Sequence, residues 1–304
     1  MASNTYEAVG NKEDMGAIIT NIAPYDTPLH KRLSKTKAIG TKHEWLEDDL
    51  GEARDNAQPE GFTFRVEDAK PRRRLDNYTQ IMEHGVYVTG TQQAVAKHGL
   101  SDELGYQMQK VLKELALDCE RALITQSVKD PGSIGIPGTP GTPRIFGGLP
   151  YWIITNVLSN GGIPRALTFD LINSALEQTW NVGGHPTVLL VSPRNKRIIS
   201  AFTAGNVKHM EGNKTHRLSQ YIDVLETDFG IVECMMDKYV PNDRVYGLSP
   251  EYIKEAVLRP FKQGEIPKVS DNVNRLIYGE WTLEMRAEKA HCVIEDLDGL
   301  IPAA

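Results

Sequence analysis

Residues 41–66 read TKHEWLEDDLGEARDNAQPEGFTFRV, and the middle of this segment has almost no apolar side chains. Between positions 47 and 61 the apolar residues are Leu50, Ala53 and Ala57. A segment this poor in apolar side chains buries too little surface to hold itself against a core. We therefore predict a charged outer part that projects from the body of the protein.

Strand patterns lie on both sides of this outer part. His43–Leu46, Phe62–Val66 and Asn77–Thr89 look like strands, and the second alternates apolar with polar side chains. Together they predict that residues 41–92 form a long two-stranded excursion. Because an isolated ribbon is only marginally stable in water, we expect its partner to be another subunit.

The residues before the excursion predict an arm. Lys12–Asn21 and Thr27–Ser34 have helical patterns, and Pro24 and Pro28 interrupt them. Helices this short are marginal in water, so residues 1–40 must lie on another surface.

The longest predicted helix spans residues 101–126. Ser101 is a good N-cap, and the following acidic residues suit the positive end of the helix dipole. An apolar stripe at spacings of three and four consists of Leu104, Met108, Val111, Leu115, Cys119 and Ala122. The glycine- and proline-rich residues 130–148 that follow predict an extended loop.

Helices and strands alternate in the remainder of the chain. Thr168 is the predicted N-cap of a helix that ends near Val182, before Gly183. The other predicted elements are a helix at Pro193–Phe202 and strands at Thr187–Val191, Tyr221–Thr227, Ile231–Met236, Val245–Leu248, Tyr252–Leu258 and Trp281–Glu295.

Composition excludes several classes of protein. The 304 residues carry 34 Lys+Arg against 40 Asp+Glu, a formal charge of −6, which argues against a general nucleic-acid or membrane-surface binder. No apolar run approaches the roughly 20 residues that span a bilayer. The polar, acidic residues 1–16 match neither a signal nor a transit peptide. Cys119, Cys234 and Cys292 are far apart, so we expect reduced, buried thiols in an intracellular protein.

Motifs of catalysis are absent or interrupted in the sequence. Residues 212–215 lack the Gly-Lys step of a phosphate-binding loop, and residues 131–135 have proline where a nucleophile elbow needs glycine. The eight histidines show no zinc-binding spacing, and acidic residues 47–49 lack the alternation of a calcium loop. We predict no catalytic residue, no cofactor and no metal.

One basic cluster, Arg72, Arg73 and Arg74, is present. Phosphate contact is one reading of it, but Glu67, Asp68 and Asp76 flank the cluster closely, which favours a salt-bridging patch where subunits meet. We add Trp45 and Tyr78 to this predicted intersubunit contact.

Several short motifs occur along the chain in a characteristic order. They are Ile22-Ala23-Pro24-Tyr25-Asp26-Thr27-Pro28, His43-Glu44-Trp45, Asn56-Ala57-Gln58 with Glu60-Gly61, Asn77-Tyr78-Thr79-Gln80-Ile81, Val88-Thr89-Gly90-Thr91-Gln92, Asp102-Glu103-Leu104, Lys113-Glu114-Leu115 and Glu280-Trp281-Thr282-Leu283-Glu284. In this order they resemble the major capsid (major head) proteins of tailed bacteriophages, whose fold is named after phage Hong Kong ninety-seven. The resemblance covers nearly the whole chain and is densest between residues 15 and 125.

The resemblance implies an α+β capsid fold and a division of the chain. The implied parts are an N-terminal arm (1–40), an extended β-hairpin loop (41–92), a peripheral domain (93–164) with a spine helix (101–126) and the Gly/Pro loop (130–148), an axial domain (165–262) and C-terminal strands that return to the peripheral domain (263–304). The implied function is non-catalytic self-assembly into pentamers and hexamers of an icosahedral head. That head would enclose double-stranded DNA without sequence-specific binding, and it would assemble in the host cytoplasm.

Some partners and alternatives stay open at this point. Scaffolding, portal and decoration proteins are possible partners. Only about 40 residues precede the loop, so we expect no large fused scaffolding segment. A separate scaffolding protein, or a short N-terminal segment that is cleaved off, is compatible with this length. We predict no isopeptide crosslink. The competing readings are an encapsulin-like nanocompartment shell that loads a cargo enzyme, and an intracellular α/β enzyme.

Overall fold

The computed structural model of the chain describes residues 27–48, 50–51, 53, 55–63, 71–95, 102–134, 141–202, 224–267 and 270–298. The helices are α1 Pro28–Arg32, α2 Gly90–Ala94, α3 Glu103–Thr125, α4 Leu149–Trp152, α5 Phe169–Asn181 and α6 Pro193–Ala201. The strands are β1 Ser34–Lys37, β2 Lys42–Glu47, β3 Arg73–Tyr78, β4 Gln80–Thr89, β5 Val157–Leu158, β6 Val188–Val191, β7 Val224–Thr227, β8 Gly230–Met236, β9 Val245–Leu248, β10 Ile253–Glu265, β11 Asn272–Met285 and β12 Cys292–Ile294.

A four-stranded sheet and helix α3 enclose the larger core. The strand order is β1-β10-β11-β4, in which β11 runs antiparallel to both β10 and β4, and β1 is parallel to β10. Helix α3 packs on β4 and β11. Buried side chains of this core include Leu29, Leu33, Val86, Leu115, Leu123, Phe146, Trp281 and Leu283.

Helix α3 confirms the predicted long helix. The buried residues Val111, Leu115 and Cys119 lie on the predicted apolar stripe. The N-cap is Asp102, whose carboxylate accepts a hydrogen bond from the amide of Leu104 at 3.1 Å. The predicted cap, one residue earlier, lies outside the described residues.

A six-stranded sheet and helices α5 and α6 enclose the second core. The strand order is β5-β12-β9-β6-β8-β7. Thr168 caps α5 as predicted, since its hydroxyl accepts from the amide of Leu171 at 3.2 Å. Ser192 caps α6 in the same way, and Gly183 has a φ of +84° where α5 ends. These caps explain why both helices were predictable within one or two residues.

The end of the chain differs from its prediction. The predicted strand 281–295 consists of the end of β11, a 3₁₀ turn at Glu288–Ala290 and the separate strand β12. A left-handed residue, Ala287 with a φ of +47°, makes the turn between the two strands. The strand β12 pairs with β9 and β5, and so joins the six-stranded sheet.

The sheets also divide the chain differently from the predicted boundary at residue 262. Strand β10 extends to Glu265, well beyond the predicted end at Leu258, and pairs with β11 in the four-stranded sheet. Pro260 and a register shift between Arg259 and Lys262 interrupt its alternation, which is why the sequence pattern ended early.

The excursion is a two-stranded ribbon, but with a different second strand. Strand β2 pairs with β3, in the register Lys42↔Tyr78 to Glu47↔Arg73. Phe62 and Thr63 are not in a strand, so this part of the predicted strand 62–66 is wrong, and residues 64–66 lie outside the described residues. The predicted strand 77–89 divides at Thr79 into the end of β3 and the whole of β4. The predicted helix 12–21 and residues 212–215 also lie outside the described residues.

Candidate subunit interface

The inner end of the ribbon is part of the core. Trp45 is 7 % exposed, and its ring lies 5.2 Å from that of Trp152. Leu75, directly opposite Trp45 on β3, packs against the same cluster. The indole of Trp45 therefore contacts its own subunit, and we leave it out of the intersubunit contact for which the sequence suggested it.

Asn77 fixes the base of the ribbon to the body. Its side chain is fully buried, and its amide nitrogen donates to the carbonyls of Gly147 at 3.1 Å and Leu283 at 2.8 Å. Its amide oxygen accepts from the backbone nitrogens of Gly147 at 2.9 Å and Tyr78 at 3.0 Å. One side chain thus connects the ribbon, the loop after α3 and strand β11.

Glu280 makes a second connection at the ribbon base. Its carboxylate accepts from the Thr79 hydroxyl at 2.6 Å, from Arg144 at 2.6 Å and from Arg259 at 2.9 Å. Burial alone would raise the pKa of Glu280, but the hydrogen bond from Thr79 and the charges of both arginines outweigh burial and lower it. Glu280 is therefore a buried carboxylate with three donors.

Glu284 lies four residues further along β11 and is held in a similar way. It pairs with His43 at 2.8 Å and with Arg286. Burial acts to raise the pKa of Glu284, whereas hydrogen bonds from His43 and Arg286 lower it, and the net shift is downward. The carboxylate ties strand β2 to strand β11.

The three arginines pair across the ribbon. Arg73 contacts Glu47 at 2.9 Å, and Arg72 contacts Asp48 at 3.3 Å. Arg74 pairs with Glu44, and hydrogen bonds from Lys42 and Arg74 lower the pKa of that carboxyl. Glu44 and Glu47 lie on the opposite strand β2, and Asp48 directly follows that strand.

Of the acids that flank the arginines in the sequence, Asp76 contacts Lys129 at 3.1 Å, and those at positions 67 and 68 lie outside the described residues. The ammonium of Lys129 also lies 5.7 Å from the ring centre of Tyr78, which holds that ring against the body.

Beyond these ion pairs, the outer ribbon exposes apolar side chains. Leu46 is 64 % exposed, Leu50 96 % and Phe62 58 %. All described residues from 50 to 63 are exposed. An apolar surface that finds no cover within the described part of its own chain is typical of a protein–protein contact.

Within the described ranges, no three His, Cys, Asp or Glu side chains could hold a metal ion. Cys119 and Cys292 are buried as predicted, and burial raises their thiol pKa values to about 12 and about 11. The described helices include none that is long and apolar enough to cross a membrane. An open groove of about 500 Å³ lies between β4 and α3, and it carries no such cluster.

Comparison with known proteins identifies the family. The model of the SU10 major capsid protein family matches residues 2–298. The chain belongs to this family. It is also 23 % identical over 335 aligned positions to the major capsid protein of Escherichia phage Phieco32, with 94 % of this chain and 93 % of that protein covered. The chain is therefore a phage major capsid protein.

Solved structures confirm the predicted fold. The capsid of Cyanophage A-1(L) matches with a TM-score of 0.65 and 13 % identity, covering 94 % of this chain and 97 % of that chain. The holo-SrpI encapsulin of Synechococcus elongatus matches with a TM-score of 0.62 and 11 % identity, covering 97 % and 95 %. At these identities the likeness concerns the fold alone, which is the α+β fold of the Hong Kong ninety-seven-like capsid proteins.

In this capsid protein, the motifs that carry the family resemblance meet at the ribbon base. His43, Asn77, Thr79, Glu280 and Glu284 come from three separate motifs and contact one another or a shared strand. These residues belong to the motifs of the resemblance, but the sequence predicted no role for any of them. For Glu280 and Glu284 the available signal was their position among the apolar residues Trp281, Leu283 and Met285 of β11.

Proposed function

We propose that this major capsid protein assembles into pentamers and hexamers of an icosahedral head that encloses double-stranded DNA. The main support is the division of the ribbon into two parts. Its inner end is bonded to the body through Asn77, Glu280 and Glu284, whereas Leu50 and Phe62 expose apolar surface at the outer end. A rigid base with an uncovered tip suits a segment that reaches a neighbouring subunit.

The proposed roles of the parts of the chain depend on the sheet to which each part belongs. Residues 1–40 act as the arm and residues 41–92 as the extended loop. Helix α3 and the four-stranded sheet form the peripheral domain. The six-stranded sheet with α5 and α6 surrounds the symmetry axes as the axial domain, and it includes β12. Shell stability then comes from many modest contacts in a closed lattice.

Arg72, Arg73, Arg74 and Tyr78 are the charged and aromatic part of the proposed contact between subunits. The side chain of Arg72 is 68 % exposed and that of Arg74 is 70 % exposed, although both already pair within the ribbon. The guanidinium groups of Arg72 and Arg74 each have five N–H donors, more than one carboxylate of the ribbon can accept. A carboxylate of a neighbouring subunit would therefore extend the ladder of ion pairs without breaking it.

The proposed head works without catalysis, and it assembles in the host cytoplasm. A separate scaffolding protein, a portal and decoration proteins are its proposed partners. The buried thiols with raised pKa values support a structural role, because a reactive cysteine needs a lowered pKa and access to solvent.

The test is to express the chain alone and to measure the mass of the main species by size-exclusion chromatography with light scattering. Negative-stain microscopy then shows its shape. We expect megadalton shells or rings of five or six subunits. A monomer or dimer that still does not assemble when phage scaffold is added would contradict the proposal.

A ribbon variant tests the observation behind the proposal. The double substitution Leu50→Ser and Phe62→Ser should abolish assembly and leave the thermal unfolding of the subunit unchanged. The matched control is Ile163→Ser, which changes an exposed apolar residue outside the ribbon. Normal assembly of the ribbon variant would exclude the ribbon tip as a subunit contact.

A second candidate is the nanocompartment shell that the sequence left open, because the SrpI encapsulin has the same fold. It predicts that shells purified from their native host contain a cargo enzyme and no genome. Mass spectrometry of the purified shells and a nuclease-protected DNA assay distinguish the two functions.

A further inference from the structure

The chain crosses between its two sheets at three places, and the three crossings lie together. In the order of the described elements, residues 153–156 lead from α4 to β5, residues 249–252 from β9 to β10, and residues 286–291 from β11 to β12. Each crossing has one end in the core of the four-stranded sheet and the other end in the six-stranded sheet. Any movement of one sheet relative to the other must therefore bend all three crossings.

Hydrogen bonds join the first crossing to the third. The carboxylate of Glu288 accepts from the backbone amides of residues 154 and 155, at 2.8 Å and 2.7 Å. The side-chain amide of Asn156 donates to the carbonyls of Lys289 at 2.7 Å and His291 at 3.0 Å. Since Asn156 is only 5 % exposed, these last two bonds are shielded from water.

Ser249 joins the second crossing to the third. Its hydroxyl donates to the carbonyl of His185 at 2.8 Å, and the carbonyl of Ala290 lies 3.2 Å away. Its backbone N–H donates to Nδ1 of the fully buried His291 at 3.1 Å. A backbone N–H can only donate, so Nδ1 must accept and carries no hydrogen. The site therefore requires the neutral imidazole, with its hydrogen on Nε2.

Protonation of His291 is incompatible with this arrangement. The added proton can only go to Nδ1, where it meets the N–H of Ser249, and two donors then face each other without an acceptor between them. No carboxylate of the described residues pairs with the imidazole, so the new charge is buried without a counter-ion. Burying an unpaired charge is costly, and protonation therefore favours a state in which the imidazole has left its site.

The charged residues on the three crossings are Glu251, Arg286, Glu288 and Lys289. Glu251 is exposed, Glu288 holds the first crossing, and Arg286 pairs with Glu284. The thiol of Cys292, next to the imidazole on β12, stays neutral because burial raises its pKa to about 11. Burial likewise lowers the pKa of His291 to about 4, while a hydrogen bond to the backbone of Arg286 acts in the opposite direction.

We propose that Ser249 and neutral His291 form a lock at the junction of the two sheets, and that protonation of His291 in acid opens this junction. The proton comes from solvent, and no covalent bond of the chain changes. In the open state the imidazole is solvated, and the amide of Ser249 donates to water instead. The lock thus makes the connection between the two sheets depend on pH.

The direction follows from proton linkage. In the open state His291 has its ordinary pKa of 6.5, and in the locked state its pKa is about 4. The stability that the lock contributes is therefore present above pH 6.5 and is lost as pH falls toward 4. With these two values, the population of the open state is about twentyfold larger at pH 5 than at pH 7.

Hydrogen exchange on the full chain measures this opening. We expect the protection factors of peptides within residues 249–252 and 286–291, corrected for the intrinsic exchange rate, to fall about twentyfold from pH 7 to pH 5. Protection that stays the same or increases toward pH 5 would overturn the lock, and this measurement needs no variant.

His291→Asn separates the lock from other causes of acid sensitivity. The asparagine offers a side-chain oxygen as acceptor for the amide of Ser249, and it does not titrate. The smaller side chain should lower protection of both crossings by the same factor at pH 7 and pH 5, so that the pH dependence disappears. The same pH dependence as in the wild type would contradict the proposal.

His185 supplies the matched control, because histidines in general change charge in this range. Its carbonyl accepts from Ser249, but its exposed ring lies against Trp180, with 4.4 Å between the ring centres. His185→Gln keeps the carbonyl and should keep the full pH dependence. Loss of the pH dependence in this variant would assign it to His185 and overturn the lock.

Discussion

Glu280 and Glu284 are charged residues inside strand β11, where an apolar side chain would be expected. Each is nearly fully buried, and each accepts hydrogen bonds from groups on other elements. A buried carboxylate without partners is costly, so these residues are tolerated because Thr79, Arg144 and His43 are already positioned around them. The ribbon base is thereby specified by polar geometry as well as by packing.

Replacing Glu280 with glutamine tests this specification. The variant keeps an acceptor for Thr79 but removes the charge that faces Arg144 and Arg259. We expect the free energy of unfolding to fall by about 2 kcal/mol, the scale of hydrogen bonds to charged groups. Urea unfolding of the unassembled subunit measures it. The exposed Glu251→Gln is the control and should stay within about 0.5 kcal/mol of wild type.

The pH dependence of the same residue has a definite sign. The pKa of Glu280 is lowered in the folded state, so its contribution to stability is present above the ordinary value of 4.5 and is lost as pH falls through the folded value. We expect wild-type stability to decrease from pH 5 to pH 3, and Glu280→Gln to decrease with a smaller slope. Equal slopes in urea titrations across this range would show that Glu280 does not titrate as described.

At the scale of elements, strand β2 places two neighbouring residues on opposite faces. Trp45 points into the core beside Trp152, whereas Leu46 is 64 % exposed. We expect Trp45→Ala to destabilise the subunit by about 3–5 kcal/mol, as for other buried aromatic residues. Leu46→Ala should change the unfolding free energy by less than about 0.5 kcal/mol. A mild effect of Trp45→Ala in urea unfolding would mean that the ribbon is not anchored through this side chain.

Elements with local signals were predictable from the sequence. Helices α3 and α5 have caps and apolar stripes within their own residues, and the hairpin of β7 and β8 carries its turn at Asp228-Phe229-Gly230. Strand β1 was missed because Ser34–Lys37 contains no apolar residue, and only its pairing with β10 makes it a strand.

Long-range pairing determines which acids the arginines of the ribbon contact. The sequence predicted a salt-bridging patch at Arg72, Arg73 and Arg74 without naming the acids across the ribbon, and the register of β2 on β3 brings Glu47 to Arg73 and Glu44 to Arg74. Register between strands 30 residues apart depends on the whole packed ribbon base. The ribbon could be predicted from its sequence, and its ion pairs could not.

At the scale of the whole molecule, the net charge affects how strongly the shell binds the DNA that it encloses. Each subunit carries a formal charge of −6, so an assembled shell has a large excess of negative charge. Sequence-independent DNA binding needs a basic surface that displaces counterions, which this composition does not favour. We propose that the wall contains DNA by enclosure and not by adhesion.

Shells assembled without DNA test this proposal. We expect them to leave a labelled double-stranded DNA fragment unbound in an electrophoretic assay at low salt, about 50 mM, where phosphate contacts are strongest. A basic DNA-binding protein at the same concentration is the positive control. Tight binding that falls steeply as salt rises would contradict the prediction, and it would indicate that basic side chains cluster on one face of the shell despite the acidic total.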